Sequence, residues 1–118
     1  MAQEFDILIL GGGSAGYATA LRARQLGFSV GLIEKDKVGG TCLHTGCIPT
    51  KAYLHAAELA EDAREASKVG VNTELQSIEM GKVRNYKDGI VGGKFKGLSG
   101  LLKMKGVRVS SPAKTPLP

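Results

Sequence analysis

With 118 residues, 16 lysines and arginines against 11 aspartates and glutamates, and 17 glycines, the chain is short and basic, with a net charge of +5. Its length allows at most one domain, no apolar run approaches the ~20 residues that cross a bilayer, and few aromatics with no tryptophan argue against a stacking platform for single-stranded nucleic acid. A strand-length apolar start without a basic leader predicts a cytoplasmic protein, where two cysteines point to chemistry before structure.

Phe5-Asp6-Ile7-Leu8-Ile9-Leu10 is nearly unbroken in apolar character, the pattern of a buried parallel strand. Gly11-Gly12-Gly13-Ser14-Ala15-Gly16 follows and contains G-x-G-x-x-G. Ala15, Ala18, Leu21, Ala23 and Leu26 then recur at helical spacing up to Gly27, and residues 28–33 read as a second strand ending on Glu34. These elements predict a complete β-α-β unit. Gly11 permits the tight turn, Gly13 lets the backbone approach a pyrophosphate, and Gly16 lets helix and strand pack closely. The helix that opens at Ser14 and Ala15 offers free N–H groups to phosphates, and Glu34 can accept hydrogen bonds from both ribose hydroxyls. The bland alternative is a glycine-rich turn in an ordinary α/β domain. Strand, turn, helix, strand and terminal carboxylate in the expected order weigh against it. The motif by itself fits NAD as well as FAD.

Gly39-Gly40-Thr41-Cys42-Leu43-His44-Thr45-Gly46-Cys47-Ile48-Pro49-Thr50-Lys51 carries both cysteines. At this separation two Cα atoms in an ideal α-helix lie roughly 8–9 Å apart, beyond the ~7 Å limit for a disulfide. Pairing therefore requires a distorted segment, and Gly46 supplies the backbone freedom. Pro49 suits the first turn of a following helix, and Lys51 shares a helical face with Cys47. A thiol at a helix N-terminus beside a cation favours thiolate. Three readings stay open: two buried thiols, a metal site with His44 or His55, and a redox-active disulfide. The spacing is wider than a zinc knuckle and no second ligand pair follows, while the glycines and the lysine favour redox chemistry.

Beyond this segment, Ala52, Ala56, Leu59, Ala60 and Ala63 form a helical apolar stripe with acidic residues on the other faces. Gly70-Val71-Asn72-Thr73 predicts a turn into a short extended piece. A second helix is expected over residues 77–105, weakened by Gly89, Gly92, Gly93, Gly97 and Gly100 and open to a break near Gly92-Gly93. Its lysines are interspersed with apolar residues, the pattern of a solvated helix face and not of a nucleic-acid surface. Val107-Arg108-Val109 fits a third strand, whereas three prolines within residues 111–118 cannot continue it.

A dinucleotide fold followed by Gly-Gly-Thr-Cys-x4-Cys-x-Pro-x-Lys resembles the flavin disulfide oxidoreductases over about residues 4–110. The wording from Thr41 to Lys51 is most similar to the branch that oxidises dihydrolipoamide; branches acting on glutathione disulfide or mercuric ion are the alternative, as is a non-catalytic nucleotide-binding fragment. The resemblance implies an incomplete Rossmann-like FAD-binding domain over residues 1–110 and a departing tail over 111–118. It implies that Cys42 and Cys47 form the redox-active disulfide, with Cys42 exchanging with substrate and Cys47 facing the flavin. FAD would be held by Gly11, Gly13, Ser14, Ala15, Gly16, Glu34, Lys35, Gly40, Thr41, Cys42, Cys47 and Lys51, with no metal. By the same resemblance, NAD binds a later domain that these residues do not include. The full enzyme is then a homodimer whose partner subunit supplies the histidine base, and the present chain alone is inactive.

Overall fold

A computed structural model describes residues 3–112. Strand β1 (Ile7–Leu10) and strand β2 (Val30–Ile33) run parallel, pairing Ile7 with Val30 through to Leu10 with Ile33. Helix α1 (Ser14–Gln25) makes the crossover that a parallel pair requires. Both strands start later than the apolar pattern predicts, because Asp6 and Ser29 bond to each other ahead of the ladder. Asp6 Oδ2 accepts from the Ser29 hydroxyl and N–H, each at 2.7 Å, and the Asp6 N–H donates to Ser29 Oγ at 2.8 Å. The hydroxyl first and the N–H second hold the Asp6 carboxyl below its ordinary range.

Strand β3 (Arg108–Ser110) joins the other side of β2, with Gly31 opposite Arg108, so the order is β1-β2-β3 and every pairing is parallel. This is half of a doubly wound sheet. Its core forms on one face only. Ala20 and Ala23 of α1, Val30 and Leu32 of β2, Val38, Leu102 and Val107 are buried together, with Ile7, Ile9, Tyr17 and Phe95 packed around them. The opposite face is open: Leu8 and Leu10 are 63% and 85% exposed.

Two short segments and two long helices complete the chain. Helix α2 (Gly40–His44) leads through Thr45 and Gly46 into helix α3 (Cys47–Glu65), and a 3-10 turn over Ala66–Val69 follows. Gly70 then caps that turn in the left-handed conformation. The extended piece expected after it does not form a strand. Residues 71–79 run irregularly, and the Thr73 hydroxyl folds back to donate to the Ala63 carbonyl of α3 at 2.5 Å. On α3, Ala52 and Ala60 are buried as the stripe predicts, but Leu59 is 58% exposed and drops out of it.

Helix α4 (Met80–Met104) starts three residues late and then runs unbroken through Gly92-Gly93. Packing on one side explains its continuity. Leu102 is fully buried, Phe95 and Leu98 pack on the core, and α3 lies alongside. Tertiary contact of one face outweighs weak propensity on the other. The radius of gyration, 20.3 Å, exceeds the roughly 13 Å of a compact chain this long, because α3 and α4 extend beyond the sheet.

The glycines sort by position. An added Cβ at Gly92 or Gly97 of α4 would meet no atom within 4 Å, whereas at Gly16 it would lie 1.8 Å from the Gly11 carbonyl oxygen. Gly92→Ala and Gly97→Ala should each stabilise the chain by about 0.5–1 kcal/mol, while Gly16→Ala should cost at least about 1–3 kcal/mol by overpacking. Urea unfolding of the three variants gives the sign directly.

Candidate functional site

The carboxyl ends of the three strands carry the first half of the site, where open α/β sheets bind their ligands. Gly11 leaves β1 with φ of +99°, and its N–H donates to the Ile33 carbonyl at 2.7 Å. That left-handed turn sends the chain into α1, whose N-cap is Gly13 and whose first turn contains neither a capping side chain nor an acidic residue. Ser14 and Ala15 are exposed there. The end of α1 is thus an uncompensated array of N–H groups with the positive end of the helix dipole.

Glu34 follows β2 and faces this turn. Its Oε1 accepts the Asp36 N–H at 2.9 Å and its Oε2 accepts the Gly12 N–H at 2.6 Å. The Asp36 bond first and the Gly12 bond second hold the carboxyl below its ordinary value, with exposed Lys35 adding a smaller push in the same direction. Each oxygen keeps a second lone pair, so the expected acceptance of ribose hydroxyls remains open with the carboxylate already oriented. Beside it lies a cavity of about 920 Å³ walled by Glu34, Val38, Phe95, Val107 and Ser110 among others.

The second half of the site meets the first backbone to backbone. The Gly39 N–H donates to the Gly12 carbonyl at 2.8 Å. Gly40 has φ of +62°, and a Cβ on it would stand 2.8 Å from Gly13 Cα. Only glycine permits that approach, and it starts α2 directly above the glycine turn. Thr41 is exposed at its beginning.

Cys42 and Cys47 are joined as a disulfide with Cα atoms 4.7 Å apart, and neither is left as a free thiol or metal ligand. The expected distortion is present and lies at Thr45-Gly46, between two separate helices. A Cβ at Gly46 would sit 2.9 Å from the Thr41 carbonyl oxygen. Cys42 precedes α3 and belongs to the separate short helix α2, held by the glycine contacts, where it is half-buried. Cys47 is the first residue of α3, exposed, with no acidic side chain in that helix's first turn. Pro49 occupies the first turn as predicted, and Lys51 is exposed one turn on. A second cavity, of about 240 Å³, opens against Cys42 and is lined also by Ser14, Tyr17, Ile48, Lys94 and Leu98.

Three residues that sequence reasoning left without a role complete the geometry. Leu43 is buried and fills the space over Gly39. Val38 is buried and meets Gly12. His44 bonds the Val38 carbonyl through Nε2 at 2.9 Å and sets its ring against Phe95. The leucine's apolar character between two polar neighbours was the one local signal. His55 is exposed on α3, its ring 6.3 Å from that of Tyr86.

A phosphate-ready glycine turn with a disulfide seated on it defines a class, the nucleotide-dependent disulfide oxidoreductases. The profile of one family, the pyridine nucleotide-disulphide oxidoreductases, matches residues 5–107, and the chain belongs to it. Within it the chain is similar to dihydrolipoyl dehydrogenases. It is 48% identical over 103 residues to that of Bacillus subtilis, covering 87% of this chain and 22% of the relative. It is 41% identical over 110 residues to that of Acholeplasma laidlawii, covering 92% and 33%. With dihydrolipoyl dehydrogenase 2 of Haloarcula marismortui it shares 41% over 104 residues, 88% and 22% of the two chains. The chain thus spans about a fifth to a third of these relatives' length. It corresponds to the FAD-binding, disulfide-bearing portion of a dihydrolipoyl dehydrogenase-like oxidoreductase.

The Glu34 bonds carry a pH signature. A carboxyl whose folded pKa is depressed binds fewer protons folded than unfolded, so its contribution is complete above the ordinary value of 4.5 and is lost as pH falls through the folded value. Glu34→Gln should therefore lower the unfolding midpoint at neutral pH, and the gap to the parent chain should close on acidification below that ordinary value. Thermal melts of both chains from neutral to acid pH measure it; a gap constant with pH would assign the Glu34 contribution to something other than its charge.

Proposed function

We propose that this chain binds FAD along the glycine turn and carries the disulfide through which a dihydrolipoamide group is oxidised, with NAD as the final acceptor in a domain outside these residues. One observation carries the reading: a disulfide on the helix that starts where Gly40 touches Gly13. The donor set fits a flavin dinucleotide. Uncapped N–H groups at Ser14, Ala15 and Gly16 suit a pyrophosphate. The oriented Glu34 carboxylate suits a ribose, with Lys35 beside it, and the cavity next to Glu34 has room for an adenosine. Gly40, Thr41, Cys42, Cys47 and Lys51 lie on the path onward from the glycine turn. Bound flavin would supply two-electron acceptance from a dithiol.

The protein's own part is thiol exchange. A substrate thiolate enters by the cavity against Cys42 and attacks Cys42 Sγ, forming a mixed disulfide and releasing Cys47 as thiolate. Cys47 is the better leaving group because it heads α3 at the positive end of the helix dipole, one turn before Lys51. The second substrate thiol, as thiolate, then attacks the first substrate sulfur in the mixed disulfide, closing the cyclic disulfide and releasing Cys42, which takes a proton. The substrate has lost two electrons and two protons, and the cysteine pair has gained the two electrons and one proton. The other proton goes to a base outside this chain, which the sequence resemblance assigns to a partner subunit. Without that base and the NAD domain, the 118-residue chain should not turn over.

Calorimetric titration tests the cofactor. The chain should bind FAD in preference to NAD, and Gly13→Val, which fills the approach to the turn, should abolish binding. Preference for NAD would sink the flavin assignment.

A protein of full relative length carrying this segment separates the sulfurs. Cys42→Ser should abolish exchange with substrate while Cys47, as thiolate, still gives a long-wavelength absorbance band with the flavin; Cys47→Ser should remove the band. The reverse pattern would exchange the two roles.

A further inference from the structure

Thiol exchange at Cys42 and Cys47 uses neither histidine, yet His44 sits between the two sulfurs in sequence and is half-buried. Helix α2 has only five residues, far too few to hold its own shape. Its first residues are fixed from below by Gly12 and Gly13. On its far side, where the chain bends toward Cys47, buried Leu43 and the His44 ring tie it to the rest of the molecule, and His44 supplies the hydrogen bond. Nε2 lies 2.9 Å from the Val38 carbonyl oxygen, and since a carbonyl only accepts, Nε2 carries the proton and donates. Val38 itself is 6% exposed, anchored in the core. The same ring meets Phe95 of α4 edge to face, centroids 5.2 Å apart and planes at 68°, a favoured aromatic geometry. One imidazole is thus gripped from two directions, by the segment following Glu34 and by the long helix.

We propose that His44 is a positioning residue for the redox disulfide: by anchoring the peptide between Cys42 and Cys47 to Val38 and Phe95, it keeps the two sulfurs in bonding range and sets how readily the pair is reduced. This rests on the redox reading of the pair given above. The physical basis is effective concentration. In the dithiol state a turn that is held keeps the two thiols face to face, which favours reclosure, while a turn that is free lets them part. Losing the anchor therefore makes the disulfide easier to open.

The test is an equilibrium against dithiothreitol in the full-length flavin-loaded protein, quenched by alkylation and read by mass. Dithiothreitol closes to its cyclic disulfide, giving up two electrons and two protons; the Cys42–Cys47 bond breaks and the two thiols take them up. His44→Ala should shift this equilibrium toward the dithiol by about tenfold, equivalent to about 30 mV for a two-electron couple. His44→Gln, whose amide can still donate to the Val38 carbonyl, should recover most of that shift even if its melting temperature falls as far as that of the alanine variant. Should His44→Ala fail to fold, His44→Leu, which packs on Phe95 but cannot donate, takes its place with the same shift expected. An equilibrium unchanged in His44→Ala or His44→Leu, or shifted equally in His44→Gln, would overturn the positioning role alone. A parent disulfide that dithiothreitol cannot open at any ratio would overturn the redox reading and this role with it.

Discussion

Everything functional in this chain depends on two backbones touching. Where Gly40 crosses Gly13, a Cβ on Gly40 would stand 2.8 Å from the Gly13 Cα, so the contact exists only because Gly40 has no side chain. The hydrogen bond from Gly39 to the Gly12 carbonyl locks it in register. Through this contact a turn built for phosphates and a turn built for sulfur become one site. The sheet contributes by holding Gly11 and Glu34 at the ends of adjacent strands. Helix α1 contributes its bare N-terminus, and α3 a second one, under Cys47.

The core that supports this is thin and one-sided. Small residues of α1, Ala20 and Ala23, let that helix lie close on β2, and Leu102 fixes α4 over the same face. Arg24 joins the C-terminal ends of the two helices, donating through Nε to the Lys105 carbonyl and through Nη1 to the Phe28 carbonyl, both at 2.8 Å. The other face of the sheet, with Leu8 and Leu10 turned outward, has no such cover among the described residues. An apolar strand at a sheet edge is a surface that associates, and it agrees with a chain spanning only part of the length of its relatives.

The β-α-β unit was legible in the sequence because its signals are local: an apolar run, glycines at fixed spacing, a helical stripe and a carboxylate at the strand's end. The cysteine pair was legible for the same reason, and even its need for a distorted segment followed from helix geometry. What was hidden depends on distant partners. Nothing near Gly92 indicates that α4 continues past it, since the reason is Leu102, Phe95 and Leu98 on the core. Leu59 matches a helical stripe yet is exposed, since which stripe positions are covered depends on neighbouring elements and not on the stripe itself. His44 was ambiguous since its partners are a carbonyl in one loop and a ring on a helix far along the chain. The strand starts were misplaced by two residues because Asp6 and Ser29 prefer each other to the ladder.

Adjacent residues of α4 face different spaces. Phe95 walls the larger cavity beside Glu34, while Lys94, with Leu98 one turn further on, lines the smaller one against Cys42. The helix is a partition between the chamber beside Glu34 and the chamber against Cys42. Because Phe95, Leu98 and Leu102 all pack on the core, the residues that wall the two chambers are the same ones that hold the partition in place.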